Sequence, residues 1–185
     1  MSNNLDKTSA KILVLGDSGV GKSSLIHLIC HSAVLSSAQW TIGCSIDVKL
    51  HDNCFLEFWD IGGSRSHKIA RSFLYQDYHG IILVFDATNI KSRVNLDEWL
   101  AEVTGRDSAN VPTITIGTKS DQLTYGSYGS TFSPLLVTNH PVIYINTQDP
   151  LSFDPSSENY GKLNNYFKSV LERRTNKRYY NKFAI

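Results

Sequence analysis

The chain has 185 residues, 41% of them hydrophobic and 19% charged, and a formal net charge of +1. That is one domain's worth of chain with enough apolar residues for a proper core, which excludes a disordered polyampholyte, and the near-neutral balance excludes a globally basic nucleic-acid or membrane binder. Cys30, Cys44 and Cys54 have no paired or zinc-type spacing and read as reduced cytosolic thiols. No apolar run reaches the ~20 residues of a membrane span, and the start is polar, lacks Gly at position 2 and resembles no signal peptide. The end carries no cysteine, so no lipid anchor is encoded in this stretch. These features give the expectation of a cytoplasmic protein, with any membrane association peripheral and through partners.

In chain order, residues 1–8 form a polar tail taken as disordered, 9–175 the globular domain and 176–185 a basic tail. Lys11 to Leu15 is a β-branched and leucine run closed by Gly16. After a glycine-bearing loop, Lys22 to Cys30 carries Leu25, Ile26, Leu28 and Ile29 at helical spacing. Ser45 to Leu50 and Phe55 to Trp59 read as strands, and the turn formers His51-Asp52-Asn53 between them predict an antiparallel hairpin. Ile81 to Phe85 and Thr113 to Ile116 are near-continuous apolar or β-branched runs, as expected of central strands covered on both faces. Leu96, Trp99, Leu100 and Val103 share a helical face. Pro141 to Ile145 followed by a Leu163, Tyr166, Phe167, Val170, Leu171 stripe closes the alternation. Alternating strands and helices predict an α/β fold with a mostly parallel sheet. Tyr125 to Ser133, rich in glycine and serine, reads as loose.

Gly16-Asp17-Ser18-Gly19-Val20-Gly21-Lys22-Ser23 matches G-x-x-x-x-G-K-[ST] between the first strand and the first helix, the context that pattern requires. Its glycines let backbone N–H groups converge on phosphate oxygens at a helix N-terminus, Lys22 offers a point charge to β- and γ-phosphates, and the Ser23 hydroxyl a ligand to Mg2+. Asp17, Ser18, Gly19, Val20, Gly21 and Ser24 complete the phosphate-binding set. Asp60-Ile61-Gly62-Gly63 ends a strand, where Asp60 can hold the metal through water and Gly63 can offer its N–H to a γ-phosphate; a plain turn is the alternative. Thr118-Lys119-Ser120-Asp121 follows another strand, where Asp121 can accept from guanine N1–H and N2–H while the Lys119 stem covers the base. Adenine offers no such donor pair, which disfavours an ATP-using kinase.

Together these motifs, in this order and over nearly the whole chain, resemble those of the Ras superfamily of small GTPases, in its Rab-like branch. The resemblance implies a three-layer P-loop NTPase (Ras-like) fold with a six-stranded, mostly parallel sheet and one antiparallel hairpin strand. It implies GTP/GDP and Mg2+ as ligands, and protein effectors and regulators at two switch segments. Self-association as a homodimer is a further expectation, nucleic acid is not, and vesicle traffic or control of small-GTPase prenylation is the implied setting. Trp40-Thr41-Ile42-Gly43 resembles switch I, which implies that Thr41 joins the metal and the γ-phosphate. Catalysis would then fall to Lys22, Thr41, Gly63 and whatever occupies the position after Gly63, which the family fills with glutamine and this chain with Ser64. Serine is too short to orient water in the same way, so slow hydrolysis, or GTP loading without turnover, is expected. Thr118 stands where asparagine is usual and Val34 where an aromatic normally stacks on guanine, both predicting looser nucleotide holding. Asn146-Thr147-Gln148 occupies the place of the last base-side motif.

Three features carry two readings each. Arg173, Arg174, Lys177, Arg178 and Lys182 are either a solvated helix end or a surface for an anionic partner. Trp40, Trp59 and Phe73 serve either effectors or core packing. His27 and His31, at i and i+4, could hold a metal, but with no acidic residue nearby in sequence they read as surface or core-edge groups.

Overall fold

A computed structural model describes residues 8–103, 111–123 and 140–183, with side chains to residue 177. The 125–133 segment read as loose lies outside the described residues, as do all but the last residue of the N-terminal tail. The strands are β1 Ser9–Leu15, β2 Cys44–His51, β3 Cys54–Ile61, β4 Gly80–Asp86, β5 Thr113–Thr118 and β6 Val142–Tyr144. Helices α1 Lys22–His31, α2 Lys68–Ser72, α3 Ile90–Val94, α4 Leu96–Val103 and α5 Glu158–Phe183 cover the two faces. The sheet runs β2-β3-β1-β4-β5-β6, and every neighbouring pair is parallel except β2 with β3.

The expected hairpin is present, with His51 paired to Cys54 and the two-residue turn between them in the left-handed region, Asp52 at φ 46° and Asn53 at φ 60°. Aspartate and asparagine tolerate that region better than other non-glycine residues, so the turn matches the strand twist. β4 is buried along its whole length, as its unbroken apolar run requires. Under one face Ile12, Val14, Leu25, Phe58, Ile82, Ile116 and Phe167 form a core; under the other Leu13, Leu15, Ile81, Phe85, Leu96 and Trp99 form a second. Truncating any of these to alanine costs about 2–5 kcal/mol.

β1 has β3 on one side and β4 on the other, so the chain leaves it at the point where strand order reverses. In open parallel sheets the crevice beyond the carboxyl ends at that point is where ligands bind. The last helix runs unbroken to Phe183, and its basic residues are partly engaged: Arg174 donates to the Ser9 carbonyl (2.5 Å) and Lys177 pairs with Asp77 (3.2 Å). Among the described residues no helix is long and apolar enough to cross a membrane.

Candidate functional site

The loop from Gly16 to Ser23 crosses the carboxyl end of β1 and feeds α1. Gly19 (φ 77°) and Gly21 (φ 95°) adopt left-handed backbone that a side chain would strain. Lys22 is 6% exposed and donates from Nζ to the carbonyls of Gly16 (3.0 Å) and Asp17 (2.9 Å). Burial lowers its pKa below the usual lysine value, against the pull of Asp60 and Asp17. A buried ammonium at a helix N-terminus, in a first turn without an acidic residue, opposes the dipole unless an anion completes it. From the other side Gly63 leans on the loop so closely that a Cβ there would strike the Asp17 and Ser18 backbone.

Ser23, Thr41 and Asp60 converge although they come from α1, a loop and β3. The Ser23 hydroxyl donates to Asp60 Oδ2 at 2.5 Å, the Thr41 hydroxyl donates to the same oxygen at 2.9 Å, and the two hydroxyls lie 3.2 Å apart. Asp60 is 1% exposed, and its other oxygen, Oδ1, is buried without a hydrogen-bond partner. An orphaned buried carboxylate oxygen costs on the order of 1–3 kcal/mol or more. Two hydroxyls and a carboxylate form a hard oxygen set of the kind Mg2+ takes, and the orphan supplies the demand for a cation. The residues therefore fit the metal.

A cleft of about 280 Å³ extends from this point, lined among others by Lys22, Ser23, Thr41, Lys119, Asp121 and Thr147. Ser18, Gly19, Gly21, Ser24, Gly63 and Gln148 also reach it. Lys119 sits at φ 57°, a conformation rarely taken by lysine, and is fixed there by a 2.5 Å ion pair to Asp86. Burial alone would raise the Asp86 pKa, but hydrogen bonds from Lys119 and Thr88 hold it below the usual carboxylate range.

Six expected site residues do not line the cleft; one is Asp60, which is buried behind the Ser23 and Thr41 hydroxyls that bond it. Thr118 is fully buried, and its hydroxyl approaches the Val20 carbonyl (2.5 Å) and the Phe85 carbonyl (3.1 Å). It is a tether between the base-side strand and the phosphate loop, with Val20 acting through its backbone. Asp17 turns its carboxylate away, accepting from Asn95 Nδ2 (2.6 Å) and Trp99 Nε1 (2.8 Å). Asn146 caps a turn by accepting from the Gln148 amide at 2.8 Å. Ser64 places its hydroxyl 2.8 Å from that of Ser66, and its carbonyl accepts from Arg71. Val34, in the place of the stacking aromatic, is not among the lining residues either.

The fold narrows two other readings. Core packing does not describe Trp40 (87% exposed) or Phe73 (73%), while Trp59 is half-buried beneath the Lys11 ammonium, 3.8 Å from its ring. The histidines do have an acidic neighbour: the hairpin carries Asp47 to His31, 2.8 Å away. The sequence also gave no sign of Asn95 as a partner of the phosphate loop, or of buried Arg71, which bonds Glu102 (2.7 and 2.9 Å) and lies 4.4 Å over the Trp99 ring. These contacts span 31 to 82 residues of chain, and no local pattern encodes them.

Residues 11–121 match the family model described as Ras of Complex, Roc, domain of DAPkinase. The chain is similar to Rab-like protein 3 of Mus musculus, 37% identical over 89% of this chain and 85% of that protein. The likeness to Rab-like protein 3 of Danio rerio is 36% over 89% and 86%. The chain belongs to the Ras-like small GTPases. The Rab-like resemblance read from the motifs is borne out, and the six-stranded sheet is the Ras-like fold. Small GTPase-like protein LIP2 of Arabidopsis thaliana shares 36% over 60% of this chain and 42% of its own length. For a Ras-like small GTPase, guanine nucleotide is the ligand that the family implies.

Proposed function

We propose that this small GTPase is a GTP/GDP switch of the Rab-like type with slow intrinsic hydrolysis. The observation that carries the reading is the meeting of Ser23, Thr41 and Asp60 around one buried, under-satisfied carboxylate. Ser23, Thr41 and Asp60 would hold Mg2+, which would supply charge neutralisation to the phosphates. Lys22 adds a positive charge that burial keeps unscreened, and the left-handed backbone at Gly19 and Gly21 lets the loop amides converge on phosphate oxygens. Asp121 selects guanine by accepting from N1–H and N2–H, with the Lys119 stem over the ring.

Thr41 and Gly63 sit on segments 34–45 and 61–77, which are tied to the nucleotide through the γ-phosphate and released when it leaves. Trp40, Ile42, Ile69 and Phe73 on those segments are 87%, 89%, 83% and 73% exposed, so their presentation to an effector follows the nucleotide state. Hydrogen exchange of the GDP-bound and GTP-analogue-bound protein tests the switch. Protection of both segments must rise with the analogue; equal exchange in the two states overturns it.

Hydrolysis is in-line attack of water on the γ-phosphorus, with cleavage of its bond to the bridging oxygen to give GDP and phosphate. Ser64 does not line the cleft, and Arg65 is drawn 3.3 Å from Glu98, which favours a second reading: an adaptor loaded with GTP and without useful turnover. Single-turnover phosphate release separates the two. Slow but measurable release supports the switch, and none supports the adaptor.

A further inference from the structure

Between α1 and β2, three ligating side chains meet that the nucleotide site does not use. His27 and His31 stand one turn apart on α1, their ring centroids 4.6 Å apart and tilted by 43°. Asp47 reaches them from β2, with its Oδ2 2.8 Å from His31 Nε2. One ligand atom from each of the three lies within 4.8 Å of the other two. The Asp47 carboxylate is oriented from behind, because its Oδ1 accepts from the Val48 amide at 2.9 Å. Such an outer hydrogen bond is what fixes a ligating carboxylate.

We propose that His27, His31 and Asp47 form a binding site for a divalent transition-metal ion of the Zn2+ class. Two imidazoles and one carboxylate are the borderline donors that suit Zn2+ rather than Mg2+ or Ca2+. Helical i, i+4 spacing puts both rings on one side, and the strand supplies the third ligand at an angle to them. Side-chain exposures of 47% for His31 and 33% for Asp47 leave the outer coordination positions to water. Lys49, two residues along β2 from Asp47, is engaged elsewhere, donating from Nζ to the Ile29 carbonyl at 2.9 Å. The bound ion links the last turn of α1 to β2, and so closes the segment from Ser32 to Gly43 that carries Thr41. The site does not depend on what occupies the nucleotide cleft.

The test is a Zn2+ titration of the full chain by calorimetry in competition with a weak chelator, with GDP and excess Mg2+ present so that the nucleotide site takes up no zinc. One saturable equivalent is expected. His31→Gln and Asp47→Asn should each weaken it by about tenfold or more, while a variant with all three cysteines replaced by serine keeps it. Circular dichroism confirms that each variant is folded. X-ray absorption of the zinc-loaded wild type should show imidazole and oxygen neighbours. No saturable uptake by the wild type, unchanged affinity in the folded His31 and Asp47 variants, or sulfur in the zinc shell would each overturn the site.

Discussion

Replacing Thr118 with valine isolates the tether that takes the place of the family's asparagine. Valine keeps the shape of threonine and removes only the hydroxyl, so the Val20 and Phe85 carbonyls lose a donor in a fully buried setting. Loss of one such bond costs about 1–3 kcal/mol. If 1–2 kcal/mol of that falls on the phosphate loop, GDP release accelerates by about five- to thirtyfold. Urea unfolding of the GDP-loaded protein and release of a fluorescent GDP analogue measure the two shares. Thr118→Ser, which retains the hydroxyl, should stay near wild type in the release assay. Equal release from wild type and Thr118→Val, or equal acceleration in the serine variant, would refute the tether.

Other outcomes follow from individual contacts. Ser64→Gln should speed single-turnover phosphate release, since glutamine can reach the attacking water where serine turns to Ser66. Glu102→Gln breaks a pair in which the side chains of Arg71 and Glu102 are 5% and 9% exposed, and should lower unfolding stability by about 3 kcal/mol, read from the urea midpoint. Burial, with Lys177, Arg174 and Arg173 nearby and opposed by Asp77, depresses the His79 pKa to about 4, and its Nδ1 accepts from the Lys11 amide. The unfolded chain therefore binds the extra proton first, so stability is full above about pH 6.5 and falls as the pH drops towards 4. That loss, followed by urea midpoints against pH, should be smaller in His79→Asn.

The phosphate loop was legible because its chemistry is contiguous: a strand, three glycines, a lysine and a serine have one structural meaning in that order. The hairpin was legible for the same reason, through Asp52 and Asn53. What sequence could not supply were partners brought together by sheet order. Asp17 reads as a site residue until Asn95, between α3 and α4, and Trp99 on α4 reach its carboxylate. Thr118 reads as a weakened base contact until its hydroxyl is seen beneath Val20. His27 and His31 look unaccompanied because Asp47 lies on the strand beyond the Thr41 segment, and only the fold of β2 onto α1 closes that gap. Trp40 and Phe73 carry the same apolar character as core residues, and pattern alone cannot tell a buried aromatic from one held out to solvent.

The guanine-nucleotide site itself is tested most directly by calorimetry with GDP and ADP in the presence of Mg2+. Tight binding of GDP is expected, with ADP weaker by at least about a hundredfold, because adenine leaves the Asp121 carboxylate without its two donors. Equal affinity for the two nucleotides, or no heat with GDP, would contradict the assignment.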